Sequence, residues 1–267
     1  MVTGEITTLK RIAGLPVQTV NLRAEYVKIM IYGAPGAGKT YLAGTANDVP
    51  EMCPVLWIDV EGGIKTLRNK WPMCEFIRIK DRYNDKGLLV KSAWEKLQDV
   101  YEEFQKGVLG YKTIVIDNAT DAQGLAMQSV MQRLVAEKPE RDLDVPDKRE
   151  WLKGGEMIRR MVRMFRDLDA HVIFTAHEQE YKDDKTGEVT VLPDFPGKLP
   201  RRVAGYLDDV VYLYTKPKGN AGEVERKILC QPQGKWRVVK TRSELPPVLV
   251  NPTMEKIAKY TLDLKEE

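Results

Sequence analysis

The residues Gly33 to Thr40 read GAPGAGKT and fit the spacing G-x-x-x-x-G-K-[ST]. Glycines at 33, 36 and 38 let the chain curl until successive N–H groups face inward, which is the geometry that grips phosphate oxygens. A helix starting at that point adds its positive dipole end. Lys39 is then placed to reach the β- and γ-phosphates, and the Thr40 hydroxyl to ligate Mg²⁺. The expected nucleotide-holding set is Gly33, Ala34, Pro35, Gly36, Ala37, Gly38, Lys39, Thr40 and Tyr41, with ATP and Mg²⁺ as the ligands. An ordinary glycine-rich turn is the bland alternative. Against it stands the setting: YVKIMIY (Tyr26–Tyr32) alternates as a strand before the loop, and Tyr41–Ala46 continues as a helix.

Hydrolysis also needs a metal-holding acid and a group that orients the attacking water. The stretch TIVID, Thr113 to Asp117, is an apolar strand ending in a carboxylate, so Asp117 is expected to hold Mg²⁺ through water. The next residue is Asn118, an amide that cannot take a proton. The nearest candidate glutamate ends a neighbouring strand, VLWIDV, followed by Glu61-Gly62-Gly63. That run is apolar throughout, as for a strand buried on both faces, and ligands bind at the carboxyl edge of such sheets.

These residues need a scaffold. FIRIK (Phe76–Lys80) alternates as a strand, and Leu88–Phe104 carries apolar residues at helical spacing. Ala119–Ala136 and Trp151–Leu168 read as helices, separated by a charged, proline-broken loop over Lys138–Lys148. HVIFTA, His171 to Ala176, is a further buried-type strand that leads into His177, Glu178 and Gln179. A hairpin follows, with its turn at Asp184–Gly187. Between Pro196 and Asp208 lie Lys198, Arg201 and Arg202 and no acid. They are expected to form a mobile basic loop able to grip backbone phosphates, with a solvated turn as the competing reading. Asp209–Thr215, Val224–Cys230 and Trp236–Lys240 read as strands, Thr241–Pro252 as a loop and Pro252–Lys259 as a short helix.

The 267 residues carry a formal charge of only +3, so any nucleic-acid or membrane site must be local. Three dispersed cysteines and two histidines argue against a disulfide framework or a zinc site and suit a reducing cytoplasm. No run approaches a membrane span, and the opening stretch, with Glu5 and no long apolar segment, does not read as a secretory signal.

A phosphate loop, an acid at Asp117 and a glutamate on the adjoining strand in a D-x-E setting resemble the RecA family of recombination ATPases. The resemblance extends over roughly Tyr26–Pro252 and is nearest to the short, core-only, phage-encoded RecA-like proteins of the single-strand annealing group. It implies a polar γ-phosphate sensor at a strand end, here His177 in place of the usual glutamine, with Gln179 as the alternative. It also implies paired cations reaching the nucleotide of an adjacent subunit, here Lys240 and Arg242 of VVKTR, whose side chains would share a face if that stretch is a strand.

The fold expected is an α/β, RecA-like P-loop NTPase: a mostly parallel sheet flanked by helices, extended by antiparallel strands toward the C-terminus. Its parts would be an arm over 1–23, the ATPase core over 24–252 and a helix or tail over 253–267. The expected activity is Mg-ATP hydrolysis with single-stranded DNA binding, in recombination or annealing. Glu61, Lys39, His177, Lys240 and Arg242 would be catalytic, Thr40 and Asp117 would hold metal, and Lys198, Arg201 and Arg202 would bind DNA. The protein would work as a ring or filament with nucleotide at the subunit interface, with a single-strand-binding protein as a possible partner, no membrane, and the host cytoplasm as its compartment if phage-encoded. The alternatives are a nucleotide-gated loader without DNA binding of its own and a small-molecule kinase.

Overall fold

In the computed structural model the described residues are 10–16, 26–87, 89–219 and 223–262. The expected arm at 1–23 falls mostly outside them. In chain order the main elements are β1 (Lys28–Gly33), α1 (Lys39–Gly44), β2 (Val55–Asp59), β3 (Glu75–Arg78), α2 (Ala93–Gln105) and β4 (Thr113–Asp117). Then come α3 (Ala119–Glu137), α4 (Lys148–Arg166), β5 (His171–Lys182), β6 (Val189–Pro193), α5 (Leu199–Tyr206), β7 (Asp209–Pro217), β8 (Val224–Leu229), β9 (Val248–Val250) and α6 (Met254–Thr261). Two small ribbons, Arg11–Ile12 with Leu15–Pro16 and Arg82–Tyr83 with Leu89–Lys91, lie outside the main sheet.

The sheet runs β9-β8-β7-β1-β5-β4-β2-β3, with β6 paired to β5. The six strands from β7 to β3 are parallel, while β8, β9 and β6 join antiparallel. Helices cover both faces, which is why β1, β2 and β4 are buried at every position and why VLWIDV reads as a near-continuous apolar run. Successive residues of β1 feed different cores. Met30 and Tyr32 pack with α2, α3, α4 and α5, whereas Ile29 and Ile31 pack with α1 and α6. On the first face Phe165 meets Tyr101, Phe104 and Phe174 edge-on; truncating it to alanine would remove about 3–5 kcal/mol. This is the expected mostly parallel α/β sheet flanked by helices, with antiparallel strands added toward the C-terminus. The terminal helix α6 is part of this packing, with Met254, Ile257 and Ala258 buried.

Three local expectations are corrected. Helix α2 starts at Ala93, not near residue 88, because Ser92 and Glu95 form a reciprocal cap there and Leu89 belongs to a ribbon. Trp236–Lys240 makes only isolated bridges, through Trp236 and Lys240; the outer strand against β8 is Val248–Val250, within the expected loop. The basic segment after Pro196 is helix α5, not a loop: Leu199, Pro200, Val203 and Ala204 pack inward.

At the lower edge of the sheet, His171 is buried, and its Nδ1 accepts the Val27 N–H at 3.0 Å. Burial lowers its pKa to about 4. Between that value and the ordinary one near 6.5 the unfolded chain binds more protons than the folded one, so the stability His171 contributes is complete above 6.5 and is lost as pH falls toward 4. Urea denaturation over pH 7 to 4 should show a falling midpoint, with a shallower fall in His171→Asn.

Candidate nucleotide site

Strand β1 ends at Gly33, where an added Cβ would come far inside van der Waals contact with the Leu213 carbonyl oxygen on β7. The loop therefore leaves the sheet in close contact with its neighbouring strand. Gly36 and Gly38 take φ of 78° and 102°, a region that side chains disfavour, and these turns let the backbone wind into α1. Lys39 folds back over the loop, its Nζ donating to the carbonyls of Gly33 at 2.9 Å and Ala34 at 3.0 Å. Burial lowers its pKa, against the raising pull of Glu61, Asp117 and Glu178.

The parallel register brings the other groups to the same edge. Gly33 lies beside His177, and Asp59 beside Asp117. Asp117 is 1 % exposed and accepts from Thr40 Oγ1 at 2.9 Å on one oxygen and from Thr175 Oγ1 on the other. Burial raises its pKa, and the two hydroxyls counter it. A buried carboxylate touching a hydroxyl at the foot of a phosphate loop suits a hard, oxygen-seeking cation such as Mg²⁺. Asp59 is committed elsewhere: it accepts from Arg78 at 2.7 Å and from the Gly62 N–H at 2.9 Å, anchoring the turn that carries Glu61.

Asn118 joins the remaining pieces. Its Oδ1 accepts the Asp121 N–H at 2.7 Å, which caps α3 and turns its NH₂ outward. That NH₂ donates to Glu61 Oε2 at 2.5 Å and to His177 Nε2 at 3.1 Å. If Nε2 accepts from that amide, the ring proton is on Nδ1, 3.5 Å from Lys39 Nζ; a proton on Nε2 would instead face Glu61 Oε1, also at 3.5 Å. Glu61, Asp121 and His177 also offer ligand atoms within 4.8 Å of one another, but the Asn118 amide already engages the first and last.

Four of the expected residues, Lys39, Thr40, Asp117 and Glu61, therefore meet His177 in one cluster. Gln179 does not join them: its amide is spent on the carbonyls of Phe195 and Pro193. Lys198 and Arg201 line a cavity of about 370 Å³ with Gln179, Tyr181 and Leu192, while Arg202 approaches Glu156 at 3.6 Å. Lys240 and Arg242 are at the opposite edge of the sheet. Lys240 bridges Val210, and Arg242 pairs with Asp208 at 3.1 Å, next to the start of β1. The linking role of Asn118 was not read from the sequence, although its place after a strand-ending aspartate and before α3 is a visible N-cap signal.

A strand, glycine loop and helix, with the loop hydroxyl bonded to an acid from a strand two places along the sheet, define a P-loop nucleotide site. The sequence matches the AAA domain family over residues 25–244. The chain belongs to that family, and with it to the P-loop ATPases. No curated protein matches it. Among solved structures it is similar to the flagellar accessory protein FlaH from Methanocaldococcus jannaschii, at 11% identity over 86% of each chain with a TM-score of 0.42. It is also similar to the KaiC-like protein PH0186 from Pyrococcus horikoshii OT3, at 15% identity over 85% of this chain and 90% of that one, with a TM-score of 0.45. The RadB recombinase matches at 16% identity over 78% and 84%, with a TM-score of 0.41. Among the described residues no helix is long and apolar enough to cross a membrane.

The close approach at Gly33 yields a stability test. Gly33→Ala must push the loop off Leu213 and should cost about 1–3 kcal/mol or more, read as a lower urea midpoint.

Proposed function

We propose that this protein is a RecA-like, Mg²⁺-dependent ATPase that acts on single-stranded DNA in recombination or annealing, as an oligomer with nucleotide between subunits. The observation that carries the ATPase reading is the Asn118 amide shared by Glu61 and His177, with Lys39 beside the imidazole. In this reading Lys39 leaves the Gly33 and Ala34 carbonyls and turns to the β- and γ-phosphates, which the N–H groups along Gly33–Tyr41, Pro35 apart, cradle. Thr40 and Asp117 would hold Mg²⁺, which would supply charge neutralisation at the phosphates. Glu61 orients the attacking water and accepts its proton, held in place by Asn118. His177 donates its Nδ1 proton to the terminal phosphate.

The DNA part of the reading follows β5. His177, Gln179 and Tyr181 share one face of that strand, and Tyr181 reaches the cavity lined by Lys198 and Arg201. An exposed aromatic beside two cations suits a stacked base with its phosphate, and Arg202 extends the basic surface. Lys240 and Arg242 lie across the sheet from their own loop, so they would complete a neighbour's site in a head-to-tail ring or filament once Arg242 leaves Asp208. A single-strand-binding protein is a suitable partner, and the host cytoplasm the compartment if the gene is carried by a phage. A second reading, a nucleotide-gated loader without its own DNA binding, is favoured by one observation: the basic segment is a packed helix with Arg202 near Glu156.

Lys39→Ala should abolish nucleotide binding in an equilibrium assay. Glu61→Gln should bind ATP normally and lose turnover by about 10²-fold or more; normal turnover would remove Glu61 from the chemistry. Replacing Lys198, Arg201 and Arg202 with alanine should reduce the slope of log affinity for single-stranded DNA against log salt by about 2. No binding by the wild type at low salt, with or without ATP, selects the loader.

A further inference from the structure

Arg226 lies on β8 opposite Thr215 of β7, and its carbonyl accepts the Asn251 N–H at 2.8 Å, so its backbone is fixed from both sides. Alternation along the strand puts it on the same face as Ile228 and Cys230, which are buried in the core beneath α1 and α6. The side chain therefore runs toward the phosphate loop. A Cβ added to Gly38 would lie 2.8 Å from its Nε and 3.7 Å from its Cζ, and Cζ is 5.7 Å from the Tyr41 ring. The Nε is buried without a hydrogen-bond partner, and among the described residues no carboxylate pairs with the guanidinium. A part-buried, unpaired cation resting on a phosphate loop is half of an anion site.

The flank it comes from identifies which part of the anion it meets. Glu61 follows β2, Asp117 ends β4 and His177 lies within β5, all on one side of β1, whereas β7 and β8 lie on the other. If the terminal phosphate rests among Lys39, Glu61 and His177, Arg226 meets the loop from the opposite flank, beside Gly38 and Tyr41, where the inner phosphates would lie. We propose, resting on the nucleotide reading above, that Arg226 binds the inner phosphates common to nucleoside di- and triphosphates, from the same chain. Its contact is the same before and after cleavage of the terminal phosphate, so it contributes to affinity rather than to the chemical step.

The test is equilibrium binding of ATP, ADP and inorganic tripolyphosphate to the full-length wild type, Arg226→Ala and Arg226→Lys, with thermal melting to establish folding. Arg226→Ala should weaken all three by about 10- to 100-fold, with equal factors for ATP and ADP, and Arg226→Lys should recover part of the loss. If Arg226→Ala does not fold, Arg226→Lys decides by the same comparison at a smaller factor. Loss of ATP binding alone would assign the guanidinium to the terminal phosphate, and retained tripolyphosphate binding would assign it to the base; either overturns the proposal. So does nucleotide binding within twofold of wild type, while leaving the P-loop reading intact. A wild type that binds neither nucleotide overturns both.

Discussion

Asp117 carries a carboxylate to a place almost without water, and the edge of the sheet is arranged around keeping it satisfied. Its two oxygens are met by hydroxyls from different elements, Thr40 at the start of α1 and Thr175 on β5. The acid thereby ties three elements together. Burial disfavours its charge, and the hydroxyls recover only part of that loss, so a cation at this spot would be strongly favoured. The same low-dielectric setting acts on Lys39 in the opposite sense, making the ammonium receptive to an anion. In the proposed ATPase reading, the acid that would hold the metal and the lysine that would meet the phosphates are two sides of one desolvated site.

Around this pair the structure separates tasks by strand. β1 supplies the loop, β4 the acid and the N-cap amide, β2 the turn with Glu61, and β5 the imidazole. Parallel pairing makes this possible, since β1, β2 and β4 end at one edge that β5 passes in matched register. Asn118 then couples groups that originate far apart in the chain. Because one NH₂ serves both Glu61 and His177, displacement of the ring frees a donor beside the carboxylate, and displacement of the carboxylate does the same for the ring.

Much of this was legible from residues alone, for identifiable reasons. VLWID and TIVID read as central strands because burial on both faces leaves no room for polar alternation, and the loop motif fixed Lys39 and Thr40 by spacing. Glu61 followed from the inability of Asn118 to take a proton. The failures occur where tertiary pairing overrides local pattern. Trp236–Lys240 has strand-like residues but makes only bridges, while Val248–Val250, flanked by Pro247 and Asn251, takes the open edge of β8. The segment LPRRVAGY was read by charge as a loop, although its Leu, Pro, Val and Ala pack at helical spacing once α4 is beside it. Arg226 had no local signal at all: only folding brings β8 across Gly38.

The posture of Lys39 has a further meaning. With its ammonium lodged on the carbonyls of residues 33 and 34, the loop holds its own shape through an internal tether rather than waiting for a guest to mould it. Any guest must outcompete that tether. An anionic guest offers the ammonium charge-assisted bonds in place of those to neutral carbonyls, so the exchange discriminates by charge.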